Sequence, residues 1–211
     1  ELEWDFRLPL VKSINVSGHK YGGVYPGVGW VVWRDESELP KELVFDLHYL
    51  GGVEQTFTLN FSRSSSHMVL QYYNFLRFGR EGYTKITTNC RNTAMYMKNR
   101  LLQLNKFEIL SDDHSVPLVA FKLKDEVKGY TVYDISDKMK EAGWSLPAYK
   151  MSEGAEDVAL LRAVIRYTFK ENLVDIFIKN IQSVIHSLES KYEELQKNAH
   201  TFESTDIHTS E

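Results

Sequence analysis

A histidine and a lysine stand side by side in a glycine-flanked turn near the start of this 211-residue chain. The turn has the sequence Ser17-Gly18-His19-Lys20-Tyr21-Gly22. It follows residues 13–17, in which apolar and polar residues alternate as on a strand with one buried face. Gly18 allows the backbone to turn sharply after that strand. The pattern therefore places an amine and an imidazole at the carboxyl end of a strand, which is the end where α/β sheets bind ligands.

The residues of this turn alone leave two interpretations open. A Lys beside a His in such a turn is usually solvated and has no chemical role. Alternatively, Lys20 forms a Schiff base with pyridoxal phosphate, which requires an amine that loses its proton near neutral pH. An ordinary Lys has a pKa of about 10.4, so such a site must lower it through desolvation or a nearby cation. Ser17, Gly18 and His19 are of the small and polar types that suit a bound cofactor.

Composition excludes several classes of protein. Hydrophobic residues make up 43% of the chain, which is enough for a packed core, and no apolar run is long enough to span a membrane. The net charge of −4, without a block of one sign, argues against nucleic-acid binding. Cys90 is the one cysteine, which favours a reducing, cytoplasmic location. The irregular spacing of the histidines predicts no metal site.

Hydrophobic period and chain-breaking residues predict the remaining elements. The predicted strands are residues 10–17, 28–33 (a buried strand), 43–45, 107–109, 116–123, 144–149 and 157–169. Two helices are predicted over residues 66–78 and 83–104, with a break between them at Gly79 and Gly82. A third helix has Thr131 as N-cap and ends at Gly143, and a long amphipathic helix covers residues 174–195.

These elements predict an α/β fold class with two domains. Residues 1–82 are expected to be the end of a large α/β domain, and 83–104 a connecting helix. Residues 105–197 are expected to form a small α+β domain, and 198–211 a polar, disordered tail. Because the chain begins with Glu1 rather than Met, we expect it to be a fragment of a longer protein.

Several short motifs occur in an order and spacing that is much more specific than any one of them. The strongest are residues 11–14, 17–20, 29–35 and 49–52, supported by 60–63, 79–83 and 143–144. In this order they resemble the glutamate decarboxylases of the fold-type I pyridoxal-phosphate class, from Leu2 to about Leu188. The resemblance implies the C-terminal part of the large domain, with a mixed, mostly parallel sheet, followed by the small domain.

The resemblance also implies how the cofactor, pyridoxal 5′-phosphate, is held. Lys20 matches the lysine that binds the cofactor covalently, and Ser17 and His19 match residues that contact its phosphate. Ser62 matches a serine that reaches the phosphate in the neighbouring subunit, and Phe61 lies beside it near the substrate. A homodimer or higher homo-oligomer with shared active sites is therefore expected.

Arg162 matches the arginine that binds the distal carboxylate of L-glutamate. The implied activity is a carboxy-lyase that removes the α-carboxylate of L-glutamate and gives CO2 and 4-aminobutanoate. The planar guanidinium suits a carboxylate. Spacing alone, however, also allows a structural ion pair and does not separate Arg162 from Arg166. Two other functions stay open: a related lyase for another amino acid, and a non-catalytic subunit used for interaction.

The sequence departs from this family in one place and leaves other parts of the site out. Ser64 stands where the family commonly has a proline after the Ser-Arg pair, which weakens the inference at Ser62. The acid that pairs with the pyridine nitrogen and the residue that stacks on the ring belong to sequence before Glu1. We therefore expect the isolated chain neither to bind the cofactor tightly nor to decarboxylate glutamate.

The C-terminal residues predict no regulatory site. Residues 203–211 lack the basic, Trp-bearing pattern of a calmodulin target, so no calmodulin binding is expected. In some bacterial relatives a histidine near the end of the chain caps the active site, and His208 could do so here, but a disordered tail is the preferred interpretation.

Overall fold

The computed structural model of the chain describes residues 3–48, 51–58, 62, 64–113 and 116–206, with side chains described as far as residue 198. Phe61 and His208, two residues to which the sequence assigns possible roles, lie outside the described residues. The chain divides into two compact units, Glu1–Tyr83 and Thr84–Glu211. Each unit is described by itself.

The first unit contains two β-hairpins. Strands β1 (Ser13–Ser17) and β2 (Gly29–Trp33) pair antiparallel, as do β3 (Phe45–Leu47) and β4 (Glu54–Thr56). The resemblance implied a mixed, mostly parallel sheet for the large domain as a whole, whereas every strand pair that the structure describes in this chain is antiparallel. For the two hairpins of this unit the reason is the short connections, since a parallel pair needs a crossover of a dozen or more residues, usually a helix.

Strand β2 is less buried than its apolar sequence predicts. The side chains of Trp30 and Val32 are 42% and 50% exposed. A continuous apolar run is consistent with a strand covered on both faces, but a two-stranded ribbon cannot cover its own faces. The prediction of a buried strand is therefore wrong for the chain as described.

Helix α1 (Ser66–Gln103) is interrupted at Gly79, which has φ 54° and ψ −167°. This left-handed conformation favours glycine and confirms the predicted break between two helices. The predicted break at Gly82 is wrong, because Gly82 is helical. Its small size has another use, since a Cβ atom there would lie 2.8 Å from the Cβ of Phe78.

The second unit is built on a four-stranded antiparallel sheet. The strands are β5 (Phe107–Ile109), β6 (Leu118–Leu123), β7 (Ala148–Lys150) and β8 (Ala159–Val164), in the order β5-β6-β8-β7. Each falls within or close to a predicted strand, and β5 coincides with its prediction. Helices α2 (Val132–Glu141) and α3 (Glu171–Asp206) follow β6 and β8 respectively.

The core of this unit is formed by residues from the second part of α1, the sheet, α2 and α3. The rings of Phe107 and Phe121 meet edge to face at 5.0 Å. Cys90 also lies in this core, and burial raises the pKa of its thiol, which fits an inert structural residue. The fully buried members, each with 0% exposure, are Leu101, Phe107, Phe121, Ile135, Met139, Leu161, Val174 and Ile181.

Local signals bound α2 at both ends, as predicted. The Thr131 hydroxyl accepts a hydrogen bond from the Asp134 backbone N–H, and the Asp134 carboxylate accepts one from the Thr131 N–H at 2.7 Å. These reciprocal bonds form a capping box. At the other end Gly143 has φ 86°, and the Trp144 N–H bonds back to the Met139 carbonyl.

Helix α3 extends to Asp206, so residues 198–206 are helical where a disordered tail is predicted. None of the helices in the described part of the chain is both long enough and apolar enough to cross a membrane.

Candidate functional site

The connection between β1 and β2, residues 18–28, carries Lys20 and is called the lysine loop below. The Gly18 N–H donates to the Val28 carbonyl at 3.0 Å and extends the hairpin pairing into the loop. Two successive turns then bracket the lysine. The Lys20 N–H donates to Ser17 O at 3.1 Å, and the Lys20 carbonyl accepts from the Gly23 N–H at 3.3 Å. The backbone of Lys20 is therefore bound on one side to the preceding strand and on the other side to the loop that follows it.

Two glycines let the lysine loop pack closely against α1. A Cβ atom on Gly18 would lie 2.6 Å from Val28 Cγ1 and 2.9 Å from Gln71 Oε1. A Cβ atom on Gly22 would lie 2.1 Å from Gln71 Oε1 and 2.5 Å from the Gly18 carbonyl oxygen. Neither glycine is in the left-handed region, so the need for glycine at these positions is steric rather than conformational.

Three side chains bind the same backbone carbonyl of the lysine loop. The Gly22 oxygen accepts hydrogen bonds from Gln71 Nε2 at 3.1 Å, Asn74 Nδ2 at 3.2 Å and the Tyr83 hydroxyl at 3.1 Å. Asn74 Nδ2 also lies 3.2 Å from the Gly23 carbonyl. Gln71 is fully buried, and burial raises the pKa of Tyr83, while the hydrogen bond from Gln71 opposes that shift. The loop is thus attached to α1 two residues beyond Lys20.

The polar side chains next to this anchored backbone are accessible. Lys20 and His19 are exposed, and Ser17 is partly buried at the end of β1. In the described part of the chain, the side chains of Lys20 and His19 make no hydrogen bond or ion pair. The site therefore presents an amine, an imidazole and a hydroxyl on a fixed backbone, which are groups able to hold a carbonyl compound that carries a phosphate.

Ser62 is exposed and lies before the start of α1. Ser64, the departure from the family pattern, has its hydroxyl 2.6 Å from that of Ser66, the first residue of α1. The Ser65 carbonyl accepts a bond from the Val69 N–H at 3.0 Å. The serines after position 62 thus contribute to the start of the helix.

Arg162 lies in the second unit, on strand β8. Its backbone N–H donates to the Pro147 carbonyl at 3.1 Å, and its guanidinium carbon lies 5.4 Å from the centre of the Tyr149 ring. Arg166 follows the strand, where its carbonyl accepts from the Phe169 N–H. Both arginines are exposed, and neither has an acidic partner within 4.0 Å among the described residues. The alternative of a structural ion pair thus has no support in the described residues.

Sequence reasoning missed the side chains that anchor the lysine loop. Gln71 and Asn74 are two amides three residues apart in a helix segment that is otherwise rich in aliphatic and aromatic residues. Polar residues at that spacing share one face of a helix. This signal could have identified a polar contact of α1, although not the loop that it binds.

Comparison with known proteins shows which family this chain belongs to. Residues 2–124 match the model of the pyridoxal-dependent decarboxylase conserved domain, which includes the lysine loop and all of α1. The chain belongs to the pyridoxal-dependent decarboxylase family. This match covers more than half of the chain, and it confirms the family that the motifs predicted.

Individual members of the family are similar along nearly the whole chain. Glutamate decarboxylase 5 of Arabidopsis thaliana is 52% identical over 189 residues, which is 90% of this chain and 38% of the plant protein. The solved structure of Lactobacillus brevis glutamate decarboxylase superposes with a TM-score of 0.82 at 46% identity, over 89% of this chain and 43% of that one. The chain therefore spans less than half the length of these decarboxylases.

More distant structures share the fold alone. The sphingosine-1-phosphate lyase of Burkholderia pseudomallei superposes with a TM-score of 0.71, although only 22% of its residues are identical. The architecture is thus that of the fold-type I enzymes, and the residues on it decide which member of the class the chain resembles.

Proposed function

We propose that this chain is the portion of a pyridoxal-phosphate-dependent glutamate decarboxylase that carries the cofactor-binding lysine. The observation that carries the proposal is Lys20 itself, which stands exposed on an anchored turn within the matched family domain. Similarity to glutamate decarboxylases over 90% of the chain supports glutamate as the substrate.

The side chains of the lysine loop fit pyridoxal phosphate chemically. The Lys20 amine would bind the cofactor aldehyde, and the Ser17 hydroxyl and the His19 imidazole would donate hydrogen bonds to the cofactor phosphate. Bound there, the cofactor would supply an electron sink that takes up the electron pair left on the α-carbon when CO2 leaves. The contribution of this chain is to hold and orient the reacting groups. Ser62 and Phe61 are proposed to act at the site of a neighbouring copy, in a homodimer or larger homo-oligomer.

Arg162 is proposed to bind the distal carboxylate of L-glutamate. Its exposed guanidinium has donors that match a carboxylate, and no acidic side chain in the described residues occupies them. The ring of Tyr149 at 5.4 Å restricts where the guanidinium can lie. The proposed location is cytoplasmic. The proposed domains are the end of the large domain over residues 1–82, a connecting helix over 83–104 and the small domain over 105–197.

Substrate discrimination tests the proposal in the cofactor-loaded protein that carries this chain. CO2 and 4-aminobutanoate should form from L-glutamate, and L-aspartate and L-tyrosine should react far more slowly. Arg162→Leu should raise KM for glutamate by about 10- to 100-fold, because a hydrogen-bonded ion pair contributes roughly 1.5–3 kcal/mol.

Arg166→Leu is the matched control, since Arg166 is a similarly exposed arginine four residues further along. It should leave KM for glutamate nearly unchanged. If L-tyrosine reacts as fast as L-glutamate, or if both variants raise KM for glutamate equally, the assignment of Arg162 is wrong.

A further inference from the structure

We propose that Gln71, Asn74 and Tyr83 position Lys20 for covalent attachment of the cofactor. These residues are called the carbonyl clamp, because all of them donate to the Gly22 carbonyl. The inference rests on the proposed function of Lys20 and extends it to residues that would not touch the cofactor. They are positioning residues, which act through the backbone of the lysine loop.

The number of donors shows how strongly this carbonyl is held. A backbone carbonyl has two lone pairs, and most accept one hydrogen bond or two. Here the Gly22 oxygen has three donors between 3.1 and 3.2 Å, and Asn74 reaches the next carbonyl as well. Gln71 Nε2 also lies 3.2 Å from the Tyr83 hydroxyl, so two members of the clamp contact each other.

The path from the clamp to Lys20 is short. Gly22 is two residues beyond the lysine, and the Gly23 N–H closes a turn on the Lys20 carbonyl at 3.3 Å. On the other side, the Lys20 N–H is bound to Ser17 in the strand. The lysine backbone is therefore held from both directions, by β1 before it and by α1 after it.

The burial of Gln71 supports a role for its amide group. The residue has 0% exposure, and its Oε1 atom has no hydrogen-bond partner in the described part of the chain. Burying a polar atom without a partner is unfavourable, and a Leu of similar size would avoid that cost. A Leu could not, however, donate to Gly22. The buried amide of Gln71 therefore makes the fold less stable than a Leu would, but it provides the hydrogen bond that fixes the loop.

Loss of the clamp should affect attachment at Lys20 as well as stability. A misplacement of about 1 Å at a reacting group can reduce a rate by about 100-fold, even when the altered residue is remote. The lysine stem is long and flexible, so the reach of its amine depends on where its Cα atom is fixed. A clamp that merely stabilises the fold would not change the attachment rate at a temperature where the protein stays folded.

Two mild variants test this in the full protein that carries the chain. Tyr83→Phe removes only a hydroxyl, and Asn74→Ala removes the donor to both loop carbonyls. Tyr130→Phe is the matched control, because it removes a buried tyrosine hydroxyl that donates to Glu189 in the other unit. The measurements are amide hydrogen exchange of residues 18–28 in the cofactor-free protein, the rate of pyridoxal phosphate attachment, and the melting temperature.

Tyr83→Phe should speed exchange in the lysine loop by about five- to tenfold, as expected for the loss of one donated hydrogen bond, and Asn74→Ala, which loses two, should speed it at least as much. Attachment of the cofactor to Lys20, followed by borohydride trapping and mass spectrometry, should slow by about tenfold or more. Tyr130→Phe should lower the melting temperature by about as much as the clamp variants do. It should leave the exchange of the lysine loop and the rate of cofactor attachment unchanged.

The outcomes separate this inference from the proposed function. If borohydride traps no cofactor on Lys20 in the unaltered protein, the proposed function fails and the clamp has nothing to position. If Lys20 is trapped, and both clamp variants attach the cofactor at the unaltered rate, the proposed function stands and the clamp inference is overturned.

Discussion

Replacing Gly22 with Ala should loosen the lysine loop more than any other single methyl group added to this hairpin. The added Cβ atom would lie 2.1 Å from Gln71 Oε1 and 2.5 Å from the Gly18 carbonyl oxygen. The glutamine can rotate away from the first contact. The second contact is with backbone, so it can be relieved only if the loop itself moves.

The loss in free energy of unfolding can be worked out from these two contacts. Rotating Gln71 away sacrifices its hydrogen bonds to Gly22 and Tyr83, which contribute about 1 kcal/mol each. Displacing the backbone of a packed loop adds roughly 1–3 kcal/mol. We therefore expect Gly22→Ala to lower the free energy of unfolding of the first unit by about 3–5 kcal/mol.

Gly29→Ala is the matched control, because Gly29 belongs to the same hairpin and an added Cβ atom would make an ordinary contact of 3.5 Å with the Val16 carbonyl. Gly29→Ala should change the free energy of unfolding by no more than about 0.5 kcal/mol. Urea unfolding followed by tryptophan fluorescence reports mainly on the first unit, which contains Trp4, Trp30 and Trp33 but not Trp144. Equal unfolding midpoints for the two variants would refute the steric reasoning.

Two further predictions concern the second unit. Thr131→Ala should destabilise the protein by about 1 kcal/mol at neutral pH, because it breaks the capping box with Asp134. The Thr131 bonds lower the pKa of Asp134, so this difference should shrink as the pH falls below about 4 and the carboxylate is protonated; unfolding curves at pH 7 and pH 3 that show the same difference would contradict it. Tyr149→Leu should raise KM for glutamate about three- to fivefold through loss of the ring beside Arg162, whereas Tyr149→Phe keeps the ring and should not. Equal KM values for the two Tyr149 variants would show that the ring does not orient Arg162.

The elements that sequence predicted well are those whose signals are local. The ends of α2 depend on Thr131 and Gly143, which act on backbone within a few residues of themselves. Strand β5 follows from a short apolar run with polar neighbours. The break at Gly79 is also local, because it depends on one residue's freedom to adopt positive φ.

The features that sequence could not supply depend on contacts between distant residues. The hydrogen bond between Gln71 and Gly22 joins positions 49 residues apart, and no pattern within either segment specifies it. The exposure of Trp30 depends on what covers the hairpin, which the apolar run does not report. Arg162 and Arg166 likewise look equivalent in sequence, and only the strand register places Arg162 beside the Tyr149 ring.

Chemical trapping is the direct test of whether Lys20 is the residue that binds the cofactor. The protein that carries this chain is incubated with pyridoxal phosphate, reduced with borohydride and digested, and the modified peptide is sequenced by mass spectrometry. One stoichiometric modification is expected, on Lys20, and it should disappear in a folded Lys20→Arg variant. Modification of a different lysine, or an unchanged yield in that variant, would contradict it.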